Sequence, residues 1–265
     1  MDVGAASHGE LTEPYAALLL ARCAEVVGFE PDEAECANVQ KAYELRGWPS
    51  QFHPYYIGDG TQRVFHVTSW GQTASLYKPN ESLLGNYQNL LELTRLQRTM
   101  RVETVALDTL RCPCDLLKID VQGAELDVLQ HAQYTLKQAL MVWLEVEFLP
   151  LYQEQPLFAD VDGFMRSQGF SFFTFDYFGS RLLRDAPHKV PQLRTQQLWA
   201  DVIYIRPIAS WSQMTTLELK KLAALLEMIG AGDHVAAVLR ILQARGIDIV
   251  GDYLRRYYAV GAIRL

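Results

Sequence analysis

The sequence is short of basic charge. Across 265 residues, Lys and Arg number 24 against 31 Asp and Glu, a formal net charge of -7, and the cations form no concentrated stripe. Binding a nucleic-acid backbone depends on neutralising phosphates, so this balance argues against nucleic acid as the partner. No stretch approaches the roughly 20 uninterrupted apolar residues that cross a bilayer. The opening residues also lack the basic, then apolar, then small-residue order of a secretory leader, so a cytoplasmic protein without a membrane span is expected. Cysteines are few: Cys23, Cys36, Cys112 and Cys114. Cys112-Pro113-Cys114 is a lone C-x-C with no His or Cys at ligand spacing, so reduced thiols are expected and no metal is assigned. A G-x-G-x-x-G phosphate turn is missing too, which disfavours a dinucleotide and a nicotinamide oxidoreductase.

What is present alternates. "CAEVVGF" (23–29) reads as a strand ending on Glu30-Pro31, and Asp32 to Arg46 has helical spacing at Cys36, Val39 and Tyr43. "FHPYYIGDG" (52–60) reads as a second strand closing on a Gly-Asp-Gly turn, and 62–70 as its return. Residues 71–100 are polar and weakly patterned, which predicts a long loop with some helix. Leu116 to Val121 is a strand, Glu125 to Gln138 a helix, and "ALMVWLEVEF" (139–148) a strand buried on both faces. A helix near 158–167 and strands over 170–178 and 199–207 complete an α/β domain with a mostly parallel sheet and one antiparallel strand. From Thr215 the pattern becomes three short amphipathic helices, so a domain over 1–207 and a helical extension over 208–265 are expected. The extension's surface leaves a homodimer or a protein partner open.

Ligands of open α/β sheets lie beyond the carboxyl ends of the strands. Glu30 ends a strand about 26 residues after Gly4, where an acid can accept both ribose hydroxyls of a nucleoside cofactor; its other reading is an acid facing the helix dipole. Asp2, Gly4 and Ala5 form a turn whose glycine lets the backbone approach that cofactor. In "LLKIDVQGAELDVLQ" (116–130), Asp120 stands where an apolar strand stops, so its carboxylate needs a partner, water or ligand. Gly123 permits the tight turn, and Glu125 opens a helix, capping or contacting ligand. Glu145 and Glu147 share one strand face by their two-residue spacing. The six histidines are scattered without ligand spacing; His8 alone lies in the proposed cofactor loop.

Together these stretches resemble the FkbM family of S-adenosylmethionine-dependent methyltransferases: "DVGA" at 2–5, "VVGFEPDEAEC" at 26–36, "IGDG" at 57–60, "ASLYKPN" at 74–80, "LDTL" at 107–110 and "LLKIDVQGAELDVLQ" at 116–130. The later "VWLEVEFLPLYQEQPLFADVDGFMRSQGF" and "LWADVIYIR" extend the likeness to about residue 207. The resemblance implies a class I, Rossmann-like, seven-stranded methyltransferase sheet, S-adenosyl-L-methionine as cofactor, and methyl transfer to a hydroxyl of a sugar or glycan, a lipid-linked acceptor or a secondary metabolite. It puts Asp2 and Gly4 under the methionine portion, Glu30 at the ribose, Asp59 beside the adenine and Asp120 beside the transferred methyl, with Ala5 and Pro31 also among the cofactor-binding residues. Asp120, then Glu147 and Glu145, are the candidate bases. Two departures stand out. Only Met1 precedes Asp2, so the first strand is expected to be cut short, and "ASHGE" replaces the usual loop. They keep open a second reading, a noncatalytic scaffold that uses the helical extension for protein partners.

Overall fold

The computed structural model describes residues 1–5, 13–186, 195–247 and Tyr253. In chain order the elements are β1 (Asp2–Val3), α1 (Ala16–Leu20), β2 (Val26–Phe29), α2 (Glu33–Leu45), β3 (Ser50–His53), β4 (Tyr56–Ile57) and β5 (Gln62–Thr68). A 3-10 turn (Gly71–Thr73) leads to α3 (Glu81–Leu84), α4 (Leu90–Leu93), β6 (Leu96–Val105), α5 (Leu107–Leu110) and β7 (Leu116–Ile119). Then come α6 (Glu125–Gln130), α7 (Gln133–Gln138), β8 (Met141–Glu147), α8 (Phe158–Ser167), β9 (Ser171–Ser180) and β10 (Gln197–Ile205). A second 3-10 turn (Ile208–Gln213) precedes α9 (Thr216–Met228) and α10 (Gly232–Ala244). No helix among the described residues is long and apolar enough to cross a membrane.

Seven strands form one sheet in the order β3-β2-β1-β7-β8-β10-β9. The first five are mutually parallel, and β10 runs antiparallel to both β8 and β9, the single reversal expected from the sequence. β1 is only two residues long, as the sequence led one to expect, yet it pairs on both sides: Asp2 lies beside Gly28 and Lys118, Val3 beside Phe29 and Ile119. On one sheet face Val3, Phe29, Ile119, Leu144 and Val202 stand in a row and pack, with α6, α7 and α8, around Val128, Leu129, Leu136, Val161 and Met165. Burying each such side chain contributes about 1.5–3 kcal/mol. That row fixes the opposite orientation for the residues one step along each strand.

Three expectations are corrected. The run 52–60 is not one strand: it divides around Pro54, which has no N–H for a ladder, into β3 at the edge of the large sheet and β4 in a separate three-stranded sheet ordered β4-β6-β5. The stretch 71–100 is not mainly loop, because β6 begins at Leu96 and pairs antiparallel with β5 from Leu96 to Glu103. The helix expected over 125–138 is two helices. Asp108 supplies the reason: its carboxylate accepts from Tyr134 N (2.8 Å) and Thr135 N (3.0 Å), which starts a new helix at that point.

Of the described residues, those within 1–7 and 26–205 make one compact unit, and those within 8–25 and 206–265 a second. In the second unit, α9 opens on a reciprocal cap in which Thr215 Oγ1 accepts from Glu218 N (3.2 Å) and Glu218 Oε2 accepts from Thr215 N (2.6 Å). Leu219, Leu222 and Leu226 of α9 and Val235, Val238, Leu239 and Leu242 of α10 are buried at helical spacing. The third helix expected near 247–258 lies outside the described residues apart from Ile247 and Tyr253, as does His8.

Candidate functional site

The strand registers assemble the site. Asp2 lies beside Gly28 and Val3 beside Phe29, so one step further Gly4 meets Glu30; by the same step on the other side, Gly4 meets Asp120. The β7–β8 register continues to Asp120 beside Glu145, and Glu145 stands opposite Asp201 of β10. Glu30, Gly4, Asp120, Glu145 and Asp201 therefore form one row across five strands, at the carboxyl ends of the parallel ones. Gly4 is the one position in that row without a side chain.

Gly4 is held there by geometry. Its φ is +81°, and a Cβ on it would stand 1.8 Å from the Asp120 carbonyl oxygen. Gly4 N and Ala5 N both donate to Phe29 O (3.0 and 3.1 Å), and Asp120 N donates to Val3 O (2.9 Å). Asp2 is buried within β1, where Lys118 Nζ donates to its Oδ1 at 3.1 Å. Asp2 thus anchors the strand that carries the turn.

Glu30 is buried, and Asp32 N donates to its Oε1 at 2.8 Å. Its second oxygen receives no hydrogen bond from the described residues. Burial pushes the carboxyl up to about 7, against the Asp32 N–H bond and with help from the charges of Glu35, Asp32 and Asp2. Pro31 follows it, half-buried. Tyr55 and His53 stack in parallel nearby (5.4 Å), both also stacked on Phe29.

Asp59 sits apart from this row. Its Oδ1 accepts from Thr61 N (2.9 Å), Thr61 Oγ1 (2.7 Å) and Thr104 Oγ1 (3.1 Å), and Arg63 Nη1 donates to Oδ2 (2.7 Å). Burial alone would raise its pKa, but these bonds outweigh it and hold the carboxyl well below the usual range. The same Arg63 nitrogen reaches Asp127 (3.2 Å), which also accepts from Tyr77 OH (3.1 Å). Both oxygens of Asp59 are held by its own turn and by the flanking strands β5 and β6.

Around Asp120 the acids gather. Glu125 is buried and turns back to accept from Val121 N (2.9 Å) and Gly123 N (3.3 Å); burial pushes it up to about 8. Glu145 and Glu147 lie well above the ordinary carboxylate range, first by burial and then by repulsion that includes Asp120 in both cases. Burial also pushes Asp201 up to about 6, with Asp120 adding and Lys118 opposing. Like charges this close cannot all ionise, so the cluster binds protons that isolated acids would release. Among the described residues, no group of three or more His, Cys, Asp or Glu is placed to hold a metal ion.

Sequence reasoning missed Asp201, Gln122 and Tyr152. Gln122 Nε2 donates to Asp120 Oδ1 and to Glu145 Oε1, both at 2.9 Å, and Tyr152 OH lies 3.1 Å from Gln122 Oε1. A signal existed for Asp201 in its place on an otherwise apolar strand. None existed for Gln122, which reads as turn filler.

A mostly parallel seven-stranded sheet closed by one antiparallel strand, with a glycine turn after the first strand and an acid after the second, defines the class I methyltransferase architecture. The methyltransferase FkbM domain model matches residues 2–172, and the chain belongs to that family. Among solved structures the chain is similar to magnesium protoporphyrin IX methyltransferase (ChlM) from Synechocystis PCC 6803 with bound SAM, at 15% identity and a TM-score of 0.38, over 78% of this chain and 68% of that one. No curated protein matches it.

Proposed function

We propose that this methyltransferase uses S-adenosylmethionine to methylate a hydroxyl oxygen of a sugar or glycan, a lipid-linked acceptor or a secondary metabolite. The observation that carries this reading is the acid row interrupted at Gly4. Glu30 borders the gap with one carboxylate oxygen that the described residues leave without a donor, a fit for a ribose hydroxyl. The gap itself lacks a Cβ, so the Gly4 backbone can lie directly against a ligand. When bound, the cofactor would supply an electrophilic methyl in line with the acceptor oxygen.

Asp120 borders the other side of the gap and is the first candidate to take the hydroxyl proton. Its charge is among the causes that raise Glu125, Glu145, Glu147 and Asp201. Glu147 and Glu145 then serve as secondary carriers of the proton. A cytoplasmic setting belongs to the same proposal and is supported by four free cysteines.

The test is calorimetric titration of S-adenosylmethionine and S-adenosylhomocysteine into the full chain and into Glu30→Ala. Binding that the substitution weakens more than about tenfold, or roughly 1.4 kcal/mol, supports the reading. It also justifies a screen of hydroxyl acceptors by mass. No binding by the folded wild-type chain overturns it and favours a scaffold.

A further inference from the structure

We propose that Gln122 is the positioning residue of this site: its side-chain amide ties Asp120 and Glu145 into one hydrogen-bonded pair. The inference rests on the methyltransferase reading for its purpose, though not for its geometry. A side-chain amide has two N–H hydrogens, and here two carboxylate oxygens lie 2.9 Å from the nitrogen. The amide oxygen faces Tyr152 OH, whose other neighbour is Thr73 O at 3.0 Å. The Gln122 backbone oxygen accepts from Ser75 Oγ at 2.7 Å. Three segments, the turn at 73–75, the loop at 152 and the carboxyl end of β7, therefore converge on one residue.

Its backbone is unusual as well. Gln122 has a φ of +57°, and Gly123 follows at +97°. A left-handed conformation disfavours a residue with a Cβ, so a glycine would sit here more comfortably. The glutamine adopts it all the same, and its amide makes a bridge that a glycine could not make.

An amide suits the place chemically. The groups that face the pair are Glu125 from α6, Glu147 from β8, Asp201 from β10, Lys118 from β7 and Tyr152 from the following loop. Lys118 already donates to Asp2. A second cation between Asp120 and Glu145 would neutralise the base, and a third acid would repel both. A neutral double donor fixes their orientation without adding a charge to the cluster.

The test follows the side-chain carboxyl of Glu145 by carbon NMR titration in the full chain, in wild type, Gln122→Met and Gln122→Glu. The methionine keeps the length of the side chain and removes both donors. A donor to the ionised form lowers a carboxyl pKa, so its loss should raise the Glu145 midpoint by about one pH unit. The glutamate keeps the shape and replaces the donor by a like charge, which should raise the midpoint too. If the methionine variant does not fold, Gln122→Gly, which suits the φ of +57° and also removes both donors, takes its place. A Glu145 midpoint within about 0.2 unit of wild type in the folded variants would reduce Gln122 to packing and overturn the proposal. Calorimetry with S-adenosylmethionine on the same samples separates the two ideas. A shifted midpoint without cofactor binding by wild type removes the methyltransferase reading and keeps the bridge; binding without a shift does the reverse.

Discussion

Replacing Gly4 with alanine puts the heart of the site under direct load. The added methyl would lie 1.8 Å from the Asp120 carbonyl oxygen, where a carbon–oxygen contact needs roughly 3.3 Å or more. Because that oxygen belongs to the backbone, no rotamer change can relieve the overlap of about 1.5 Å. β1 must instead move away from β7, which gives up the bonds Asp120 N to Val3 O and Lys118 N to Met1 O, both 2.9 Å. Each is worth about 1 kcal/mol net. Holding alanine at the φ of +81° seen for Gly4 adds about 1–2 kcal/mol. The sum is about 3–4 kcal/mol, a large part of the 5–15 kcal/mol that domains typically have. Urea unfolding followed by circular dichroism reads it as a midpoint shift of about 1 M for a slope near 3 kcal/mol/M. S-adenosylmethionine affinity should fall in parallel, since the turn and Asp120 move together. A loss below about 1 kcal/mol with affinity retained would refute the close approach of Gly4 to Asp120, and the row of acids with it.

Glu30 and Arg63 offer independent checks. Burial raises Glu30 in the fold from its ordinary value of 4.5 to about 7, so its contribution to stability is full below about pH 4.5 and is lost as pH rises through 7. Glu30→Gln removes that dependence and should be more stable than wild type at pH 8 by up to about 3 kcal/mol, with little difference at pH 4.5, while binding the cofactor less tightly. Equal pH dependence of the two proteins in urea unfolding would show that Glu30 is not desolvated. Arg63→Met severs the links to Asp59 and Asp127, and should cost roughly 1–3 kcal/mol in the same assay with S-adenosylmethionine affinity changed less than about twofold. A much larger loss of affinity at full stability would return Asp59 to the cofactor.

How far the sequence reveals this arrangement depends on whether the cause is local. Glu30 and Asp120 were legible because each ends a short apolar run, and a charge in that place is costly without a use. The antiparallel closure was legible from two strands with little helix between them. β6 was not, because most of its residues are exposed and its charges fall on both faces; only pairing with β5 makes it a strand. Asp201 and Gln122 gain their meaning from register and from a turn conformation, and neither has a period that a sequence displays.

The carboxylate of Asp108 that starts α7 also ties that helix to a distant part of the chain. α7 has six residues, too few to persist alone in water, and its cap lies 26 residues upstream. Until the chain between them has closed, with β7 and α6 inside the loop, nothing marks Tyr134 and Thr135 as a helix start. Closing a loop of that length carries an entropic cost before any contact offsets it. α7 therefore depends on a contact made across 26 residues of chain, and the break between α6 and α7 is set by tertiary structure rather than by the local sequence.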